Sequence, residues 1–196
     1  GSMRVQDQGS QLVTMALSSS TSCSPGEQWL DICAGPGGKA VLMAALAAKS
    51  GADLTTNEIT PHRAKLVETA LRHSGFRALQ LIGDGRNIDE SYQFDRIMLD
   101  APCTGLGALR RRPESRWRKG NANLKELAVL QRELLSSAWQ HLKPGGVLAY
   151  VTCSPHPTET ISQIEWFLRT EPQADLLNAT GVVTKLNPEL KLNRDR

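Results

Sequence analysis

Short apolar segments alternate with longer amphipathic segments along most of this chain. Each apolar run ends at glycine, proline or a polar turn, which is the pattern of buried strands. The predicted strands cover residues 28–32, 52–59, 78–82, 94–99 and 147–151. The predicted helices cover residues 5–17, 39–49, 61–73, 124–142 and 158–169. Regular alternation of strands with helices is typical of an α/β fold, with a doubly wound and mostly parallel sheet.

The composition is that of an ordinary globular domain. The 196 residues are 40% hydrophobic and 22% charged, and the formal net charge is +3. Four cysteines, Cys23, Cys33, Cys103 and Cys153, are too few and too scattered for a disulfide framework. No Cys-x-x-Cys pair or metal-type histidine spacing occurs, and no apolar run is long enough for a membrane span. These features predict a reduced, cytoplasmic enzyme without a bound metal.

Two of the cysteines directly follow predicted strands. Cys103 lies in Asp-Ala-Pro-Cys-Thr-Gly and Cys153 lies in Thr-Cys-Ser-Pro, so both thiols are expected in loops at the carboxyl edge of the sheet. That edge forms the ligand crevice of open α/β sheets. Two thiols that converge there indicate covalent chemistry with a thiol nucleophile. The alternative is that each cysteine is a small buried hydrophobic residue.

The loop at residues 33–38 is rich in glycine, which lets a ligand approach the backbone and the amides of the next helix. The dinucleotide pattern G-x-G-x-x-G is absent. A phosphate-binding loop is also excluded, because Cys33 replaces its first glycine and Ala40 replaces its magnesium-binding hydroxyl. A third use of such a loop is to bind S-adenosylmethionine.

Three acids stand at or just after the ends of successive strands and suit that cofactor. Glu58 can accept from both ribose hydroxyls, Asp84 from the adenine amino group, and Asp31 from the amino group of the methionine part. A solvated loop carboxylate is the alternative for each acid taken alone. Three acids beside one glycine-rich loop favour the cofactor.

A strongly basic run follows the fourth strand. Its members are Arg110, Arg111, Arg112, Arg116, Arg118 and Lys119, with Trp117 among them. Phosphate contacts beside one stacking surface suit single-stranded or looped RNA. The alternative is a solvated loop with Trp117 packed inward.

Four segments together resemble the RNA 5-methylcytosine methyltransferases, and among them the Sun/Fmu type that acts on bacterial small-subunit ribosomal RNA. They are the lead-in at 5–11, the glycine-rich loop at 31–39, the Pro-Cys segment at 100–117 and the Thr-Cys segment at 152–159. The resemblance runs from Val5 to about Arg169, and it implies a Rossmann-like methyltransferase fold. It also implies methyl transfer from S-adenosylmethionine to C5 of a cytosine in RNA.

The resemblance implies a role for each polar group at the site. Cys153 is the nucleophile that attacks C6 of the base, and Cys103 assists release of the product. Asp100 binds the N3/N4 edge of the base, and Lys39 stabilises the thiolate or contacts the base. The residues expected to bind the cofactor are Asp31, Cys33, Ala34, Gly35, Pro36, Gly37, Gly38, Lys39, Glu58, Arg63, Asp84, Gly85, Asp100 and Pro102. The expected partner is small-subunit ribosomal RNA, bound by a monomer.

The resemblance also predicts the domain organisation. Residues 1–4 are expected to be an expression scar and linker, residues 5–172 the catalytic domain, and residues 173–196 a tail with a trimmed final strand. The N-terminal NusB-like RNA-binding domain of this type is not in the sequence, and Thr160 stands where the family has asparagine.

Two other functions stay open at this point. One is a methyltransferase of the same fold that acts on an amine, although such enzymes place Asn/Asp-Pro-Pro-aromatic where Asp-Ala-Pro-Cys stands here. The other is a non-catalytic RNA-binding module with a vestigial cofactor pocket. The presence of both cysteines and all three acids argues against such decay.

Overall fold

The structure is a computed structural model that describes residues 6–109 and 121–189. Within these ranges five strands form one fully parallel sheet in the order β3-β2-β1-β4-β5. The strands are β1 (Gln28–Asp31), β2 (Asp53–Glu58), β3 (Leu79–Ile82), β4 (Phe94–Asp100) and β5 (Leu142–Val151). The order reverses between β1 and β4, which confirms the predicted doubly wound sheet.

Helices cover both faces of the sheet. They are α1 (Gln8–Ser19), α2 (Gly38–Ser50), α3 (Pro61–His73), α4 (Asn121–Gln140), α5 (Ile161–Thr170) and α6 (Ala179–Leu186). Short 3₁₀ turns at Gly85–Asn87, Leu106–Ala108 and Pro157–Glu159 follow the ends of β3, β4 and β5.

Alternate residues of the central strands supply two separate cores. Trp29 of β1 packs with the buried faces of α1, α2 and α3, whereas Leu30 packs with α4 and α5. The same alternation continues along β4, where Met98 faces the first layer and Leu99 the second. Because side chains in a strand point to opposite faces in turn, both faces of the central strands are buried. A sheet fixed from both sides holds its strand ends in place.

Several boundaries differ from those predicted. The helix expected at 158–169 begins only at Ile161, after a 3₁₀ turn, and the largest difference is at the start of β5. The helix expected to end at residue 142 ends at Gln140, and β5 begins at Leu142 rather than at residue 147. Leu142 pairs with Phe94 before an irregularity in the ladder, and Gly146 lies too close to Asp95 and Leu142 for any side chain. The Lys-Pro-Gly-Gly segment therefore forms a bulged start of the strand rather than a loop before it.

The region after residue 172 contains a helix that the sequence pattern did not reveal. α6 begins after Asn178, whose side chain accepts from the Gly181 amide at 2.9 Å, and it lies against α1. Within the described residues, no strand follows β5.

Candidate active site

The pairing of β4 with β5 brings the two predicted cysteine loops together. Asp100 lies beside Val151 at the carboxyl ends of these strands, and the Ala101 amide still donates to the Val151 carbonyl at 2.8 Å. Further on, the Gly107 amide donates to the carbonyl of Cys153 at 2.8 Å. A side chain on Gly107 would come within 2.7 Å of that same oxygen, so only glycine fits this approach.

The two thiols are in direct contact. The Sγ atoms of Cys103 and Cys153 lie 3.3 Å apart, with Cys153 exposed and Cys103 half-buried. Both cysteines are reduced. The expected convergence of two thiols at this edge is therefore present in the structure.

The two thiols ionise as a coupled pair. A hydrogen bond from Cys153 lowers the pKa of Cys103 to about 6, against the effect of burial. The same contact, together with burial and the charge of Asp100, raises the pKa of Cys153. The pair thus loses its first proton near neutral pH and holds its second proton tightly. One shared proton between the sulfurs means that either atom can carry the thiolate when the proton shifts.

Lys39 and Asp100 form an ion pair next to the thiols. Lys39 Nζ lies 2.6 Å from Asp100 Oδ2, and the side chains are 16% and 33% exposed. Lys39 is in the first turn of α2 and Asp100 ends β4, so the pair connects the glycine-rich loop with the Pro-Cys loop. In this structure Lys39 pairs with Asp100, so its charge is directed at that carboxylate. Stabilisation of a thiolate by Lys39 stays a prediction.

The glycine-rich loop is hydrogen-bonded to the carboxylate of Glu58. This carboxylate is 4% exposed, and it accepts from the Gly35 amide at 3.0 Å and from the Thr60 amide at 3.1 Å. Arg63 lies 3.7 Å away with a half-exposed side chain. Each carboxylate oxygen keeps a second lone pair, so Glu58 can still accept two further hydrogen bonds. The two hydroxyls of a ribose can donate these two hydrogen bonds.

Two glycines of this loop are required by the backbone. Gly35 and Gly37 have φ values of 55° and 90°, in the region that favours glycine. A side chain at Gly37 would also meet Val67 of α3 at 3.0 Å. Gly37 precedes Gly38, the first residue of α2, so the loop leaves the helix amides accessible.

Asp31 is a buried carboxylate without a hydrogen-bond partner among the described residues. It ends β1 and is 1% exposed, and neither of its oxygens accepts a hydrogen bond of good geometry, although the Cys33 amide lies near enough to lower its pKa. Burial, reinforced by the charge of Asp100, raises the pKa of Asp31 to about 7. Burying an unpartnered carboxylate is costly, so this position suits a group that meets a cationic ligand. The predicted amino group of the cofactor is such a ligand.

Asp84 is already engaged by an arginine. Its oxygens accept from Arg86 Nε at 3.0 Å, and Arg86 also reaches Glu133 at 2.6 Å. This contact holds the pKa of Asp84 below its ordinary value. A side chain on Gly85, next to it, would meet Ile32 and Leu134. Asp84 can accept from an adenine amino group only through a lone pair that Arg86 leaves open.

The other residues predicted for the site lie in the core, in the loops at the strand ends, or outside the described residues. Burial raises the pKa of the Cys33 thiol far above its ordinary range, and Cys33 packs against the second core, as a small apolar residue would. Ala34, Pro36 and Gly38 lie in the same loop, and the Pro102 carbonyl accepts from Gln131 at 2.8 Å. The predicted RNA-binding basic run lies outside the described residues. Its members are Arg110, Arg111, Arg112, Arg116, Trp117, Arg118 and Lys119.

Two residues without a predicted role organise the site. Asn57 donates to the carbonyls of Ile32 at 3.1 Å and Gly83 at 3.2 Å, so it links the loops after β1 and β3. Glu159 is fully buried between the two cysteine loops. The hydrogen-bond partners of both residues are distant in sequence, so no local pattern identified either one.

Two further features are absent from residues 6–109 and 121–189. No group of three histidine, cysteine or acidic side chains there has a metal-binding arrangement. No helix of those ranges combines the length and apolar character needed to cross a bilayer.

The sequence and the structure both match known proteins. The model of the family described as 16S rRNA methyltransferase RsmB/F matches residues 20–193. The ribosomal RNA small subunit methyltransferase B of Klebsiella pneumoniae (strain 342) is 43% identical over 159 residues, 80% of this chain and 36% of that protein. Rv1407 of Mycobacterium tuberculosis, named as a candidate methyltransferase, is 50% identical over 88% of this chain and 37% of its own length.

A solved structure shares the same architecture. The methyltransferase homologue from Pyrococcus horikoshii superposes with a TM-score of 0.72 at 31% identity, over 85% of this chain and 51% of that one. Of the two curated relatives named above, the chain spans a little over a third of the length.

The coupled thiols predict an unusual pH dependence of alkylation. The Cys103 peptide should react with iodoacetamide with a midpoint near the pKa of about 6. In Cys153→Ala the donated hydrogen bond is lost, so the midpoint should rise toward about 8.5, the value of an ordinary thiol. Mass spectrometry of the Cys103 peptide across a pH series measures both. Cys23→Ala is the control and should leave the midpoint unchanged, and an equal midpoint in Cys153→Ala would contradict the coupling.

Because Asp31 is buried, we expect its ionisation to lower the free energy of unfolding as the pH rises. Its pKa is about 7 in the folded chain and near 4 when unfolded, so the folded state binds more protons between these values. Stability contributed by this group therefore falls as pH rises from about 4 to 7. Asp31→Asn should raise the free energy of unfolding at pH 8 by roughly 1–3 kcal/mol and change it little near pH 4.

Urea unfolding at both pH values measures this difference. Asp53→Asn, at an exposed carboxylate on β2, is the matched control. A gain in stability that is the same at both pH values would show that the charge of Asp31 is not its cause.

Proposed function

The chain belongs to the 16S rRNA methyltransferase RsmB/F family, and from this membership we propose that it transfers a methyl group from S-adenosylmethionine to C5 of a cytosine in small-subunit ribosomal RNA. The membership confirms the family resemblance of the sequence. The proposal goes further, because the chain covers only part of its relatives. It includes a covalent bond between Cys153 and C6 of the base.

The contact between Cys103 and Cys153 is the observation that carries this proposal. C5 of cytosine is a weak nucleophile, and addition of a thiolate at C6 makes it electron-rich. An enzyme that uses this route needs one group to attack C6 and another to remove the proton from C5 afterwards. Two thiols 3.3 Å apart at the ligand edge of the sheet offer both.

In the first step Cys153 attacks as the more exposed thiol. The proton of Cys153 passes to the Cys103 sulfur, and the Cys153 thiolate forms a bond to C6. The electron pair of the C5–C6 double bond moves toward C5 and N3. The low pKa of the pair means that the thiolate is already present at neutral pH, and no strong external base is needed.

Asp100 and Lys39 face the base in this scheme. Lys39 holds one oxygen of Asp100 at 2.6 Å, which leaves the other oxygen to meet the N3/N4 edge of cytosine. A proton held between Asp100 and N3 favours addition of the thiolate, because it compensates the charge that develops on the ring. Lys39 therefore acts on the base through Asp100. The target base must leave any stack to reach the thiols.

The described residues fit S-adenosylmethionine at the adjoining loop. Glu58 has free acceptor capacity for ribose hydroxyls, and Asp31 has two unpartnered oxygens for an amino group. Gly35 and Gly37 keep the loop clear of side chains. The cofactor, when bound, supplies an electrophilic methyl group to C5.

Release of the product needs a base at C5. After methyl transfer, Cys103 returns its proton to solvent and accepts the proton of C5. The C5–C6 double bond then forms again, and the bond from C6 to Cys153 breaks with its electron pair on sulfur. Cys103 suits this task, because its sulfur lies 3.3 Å from the sulfur that holds the base.

The remaining parts of the proposal concern partners. The basic run with Trp117 is proposed to contact RNA phosphates and bases, and the protein to act as a cytoplasmic monomer. Of the two alternatives from the sequence, the amine methyltransferase is disfavoured by the thiol pair, which amine methylation does not require. A non-catalytic RNA-binding module would not need the buried, unpartnered Asp31.

Variants of the two cysteines test the mechanism. Cys153→Ala should abolish both methyl transfer and the covalent adduct with RNA that contains 5-fluorocytosine. Cys103→Ala should accumulate a covalent complex with unmodified RNA. Without the Cys103 contact that raises its pKa, Cys153 can lose its proton to solvent and attack, while release is blocked. A denaturing gel with labelled RNA and transfer of labelled methyl groups measure these outcomes. Cys23→Ala, away from the site, is the control and should behave as the unaltered chain.

A covalent adduct that persists in Cys153→Ala would reverse the two assignments. Methyl transfer at the normal rate in that variant would overturn the covalent mechanism.

A further inference from the structure

Glu159 is a fully buried carboxylate that lies outside the reaction described above. It ends the 3₁₀ turn Pro157–Glu159 that follows the Thr-Cys loop, and it is 0% exposed. Among the described residues, all of its donors are neutral. A buried charge held in this way is costly unless each oxygen is well satisfied.

Its first oxygen fixes the backbone on both sides of Cys103. Glu159 Oε1 accepts from the Thr104 amide at 2.8 Å, and from Gln131 Nε2 at 3.1 Å. The same Gln131 nitrogen donates to the Pro102 carbonyl at 2.8 Å. Residues 102 and 104 are therefore both tied to one carboxylate, directly or through Gln131.

Its second oxygen reaches the other cysteine loop. Glu159 Oε2 accepts from the hydroxyl of Thr104, whose oxygen lies 3.1 Å from the hydroxyl of Ser154, next to Cys153. Burial alone would raise the pKa of Glu159, but hydrogen bonds from Ser154, Thr104 and Gln131 hold it below its ordinary value. The carboxylate is therefore ionised, and it accepts from both loops at once.

We propose that Glu159 is a positioning residue that holds Cys103 and Cys153 in thiol contact by binding the neighbours of both. Its hydrogen bonds to Thr104, Gln131 and Ser154 set the distance between two loops whose backbones are joined by the Gly107 amide and the Cys153 carbonyl. The effect on thiol distance stands on the structure alone. The effect on product release rests on the proposed function, since only a Cys103 at this distance can remove the C5 proton of a base bound to Cys153.

A thiol-bridging reagent tests the distance without RNA or cofactor. Dibromobimane becomes strongly fluorescent when it alkylates two adjacent thiols, and a Cys23→Ala background removes an unrelated site. The unaltered pair should be bridged rapidly. Glu159→Ala should slow the bridging about tenfold, because losing buried hydrogen bonds worth about 1.4 kcal/mol frees the loops by that factor. Mass spectrometry identifies the bridged peptides.

A conservative variant and a matched control separate positioning from general damage. Glu159→Gln keeps the acceptor for Thr104 and Gln131, and its amide can donate to the Thr104 hydroxyl, so it should restore most of the bridging. Gln163→Met also removes a buried polar group, one that binds the carbonyls of Ala128 and Thr158 rather than either cysteine loop. It should bridge like the unaltered chain even if it is less stable.

The variants are compared only as folded proteins, as judged by cooperative melting in circular dichroism. If Glu159→Ala does not fold, Thr104→Val replaces it, since it removes the hydroxyl contacts to Glu159 and Ser154 and keeps the amide. Slower bridging in the folded variant supports the proposal. Bridging at the unaltered rate in folded Glu159→Ala or Thr104→Val would overturn it.

The RNA assay then tests the catalytic consequence separately. Folded Glu159→Ala should retain more covalent complex with unmodified RNA than the unaltered chain, as a release defect requires. If the unaltered chain forms no adduct even with 5-fluorocytosine RNA, the proposed function fails, while the bridging result still decides the role of Glu159.

Discussion

The site depends on the parallel pairing of β4 with β5. The register that puts Asp100 beside Val151 sends both chains into loops at the same edge of the sheet. The ladder continues past the strands through Ala101 and Gly107, which brings Cys103 and Cys153 into contact although fifty residues separate them in sequence. A slip of one residue in this pairing would turn one thiol to the opposite face of the sheet. The chemistry proposed for the pair therefore follows from a constraint on the backbone.

Two buried carboxylates near this edge differ in their hydrogen bonding. Glu159 is satisfied by neighbouring donors and rigidifies the loops that carry the thiols. Asp31 accepts no hydrogen bond of good geometry among the described residues, and its burial opposes ionisation. Satisfied polar groups specify a structure, whereas an unsatisfied one is retained at a cost in stability and points to a ligand. This contrast distinguishes the part of the site that holds its shape from the part that is completed by the cofactor.

Much of this arrangement could be predicted from the sequence, because strand ends and glycine-rich loops are local signals. The apolar runs before Asp31, Glu58 and Asp100 located the ligand edge, and the two cysteines followed from it. The contacts that the prediction missed are long-range. Nothing near Glu159 in the sequence identifies Thr104 or Gln131 as its partners, and the pairing of Lys39 with Asp100 joins positions 61 residues apart. The early start of β5 depends on pairing with Phe94, which a local glycine and proline signal conceals.

The proposed mechanism requires Cys153, rather than Cys103, to bond to the base. Its most direct test is tandem mass spectrometry of the covalent complex between the unaltered chain and RNA that contains 5-fluorocytosine, formed with S-adenosylmethionine and digested with protease and nuclease. We expect a methylated fluorocytosine nucleotide on the peptide that contains Cys153. The same nucleotide on the peptide that contains Cys103 would contradict it.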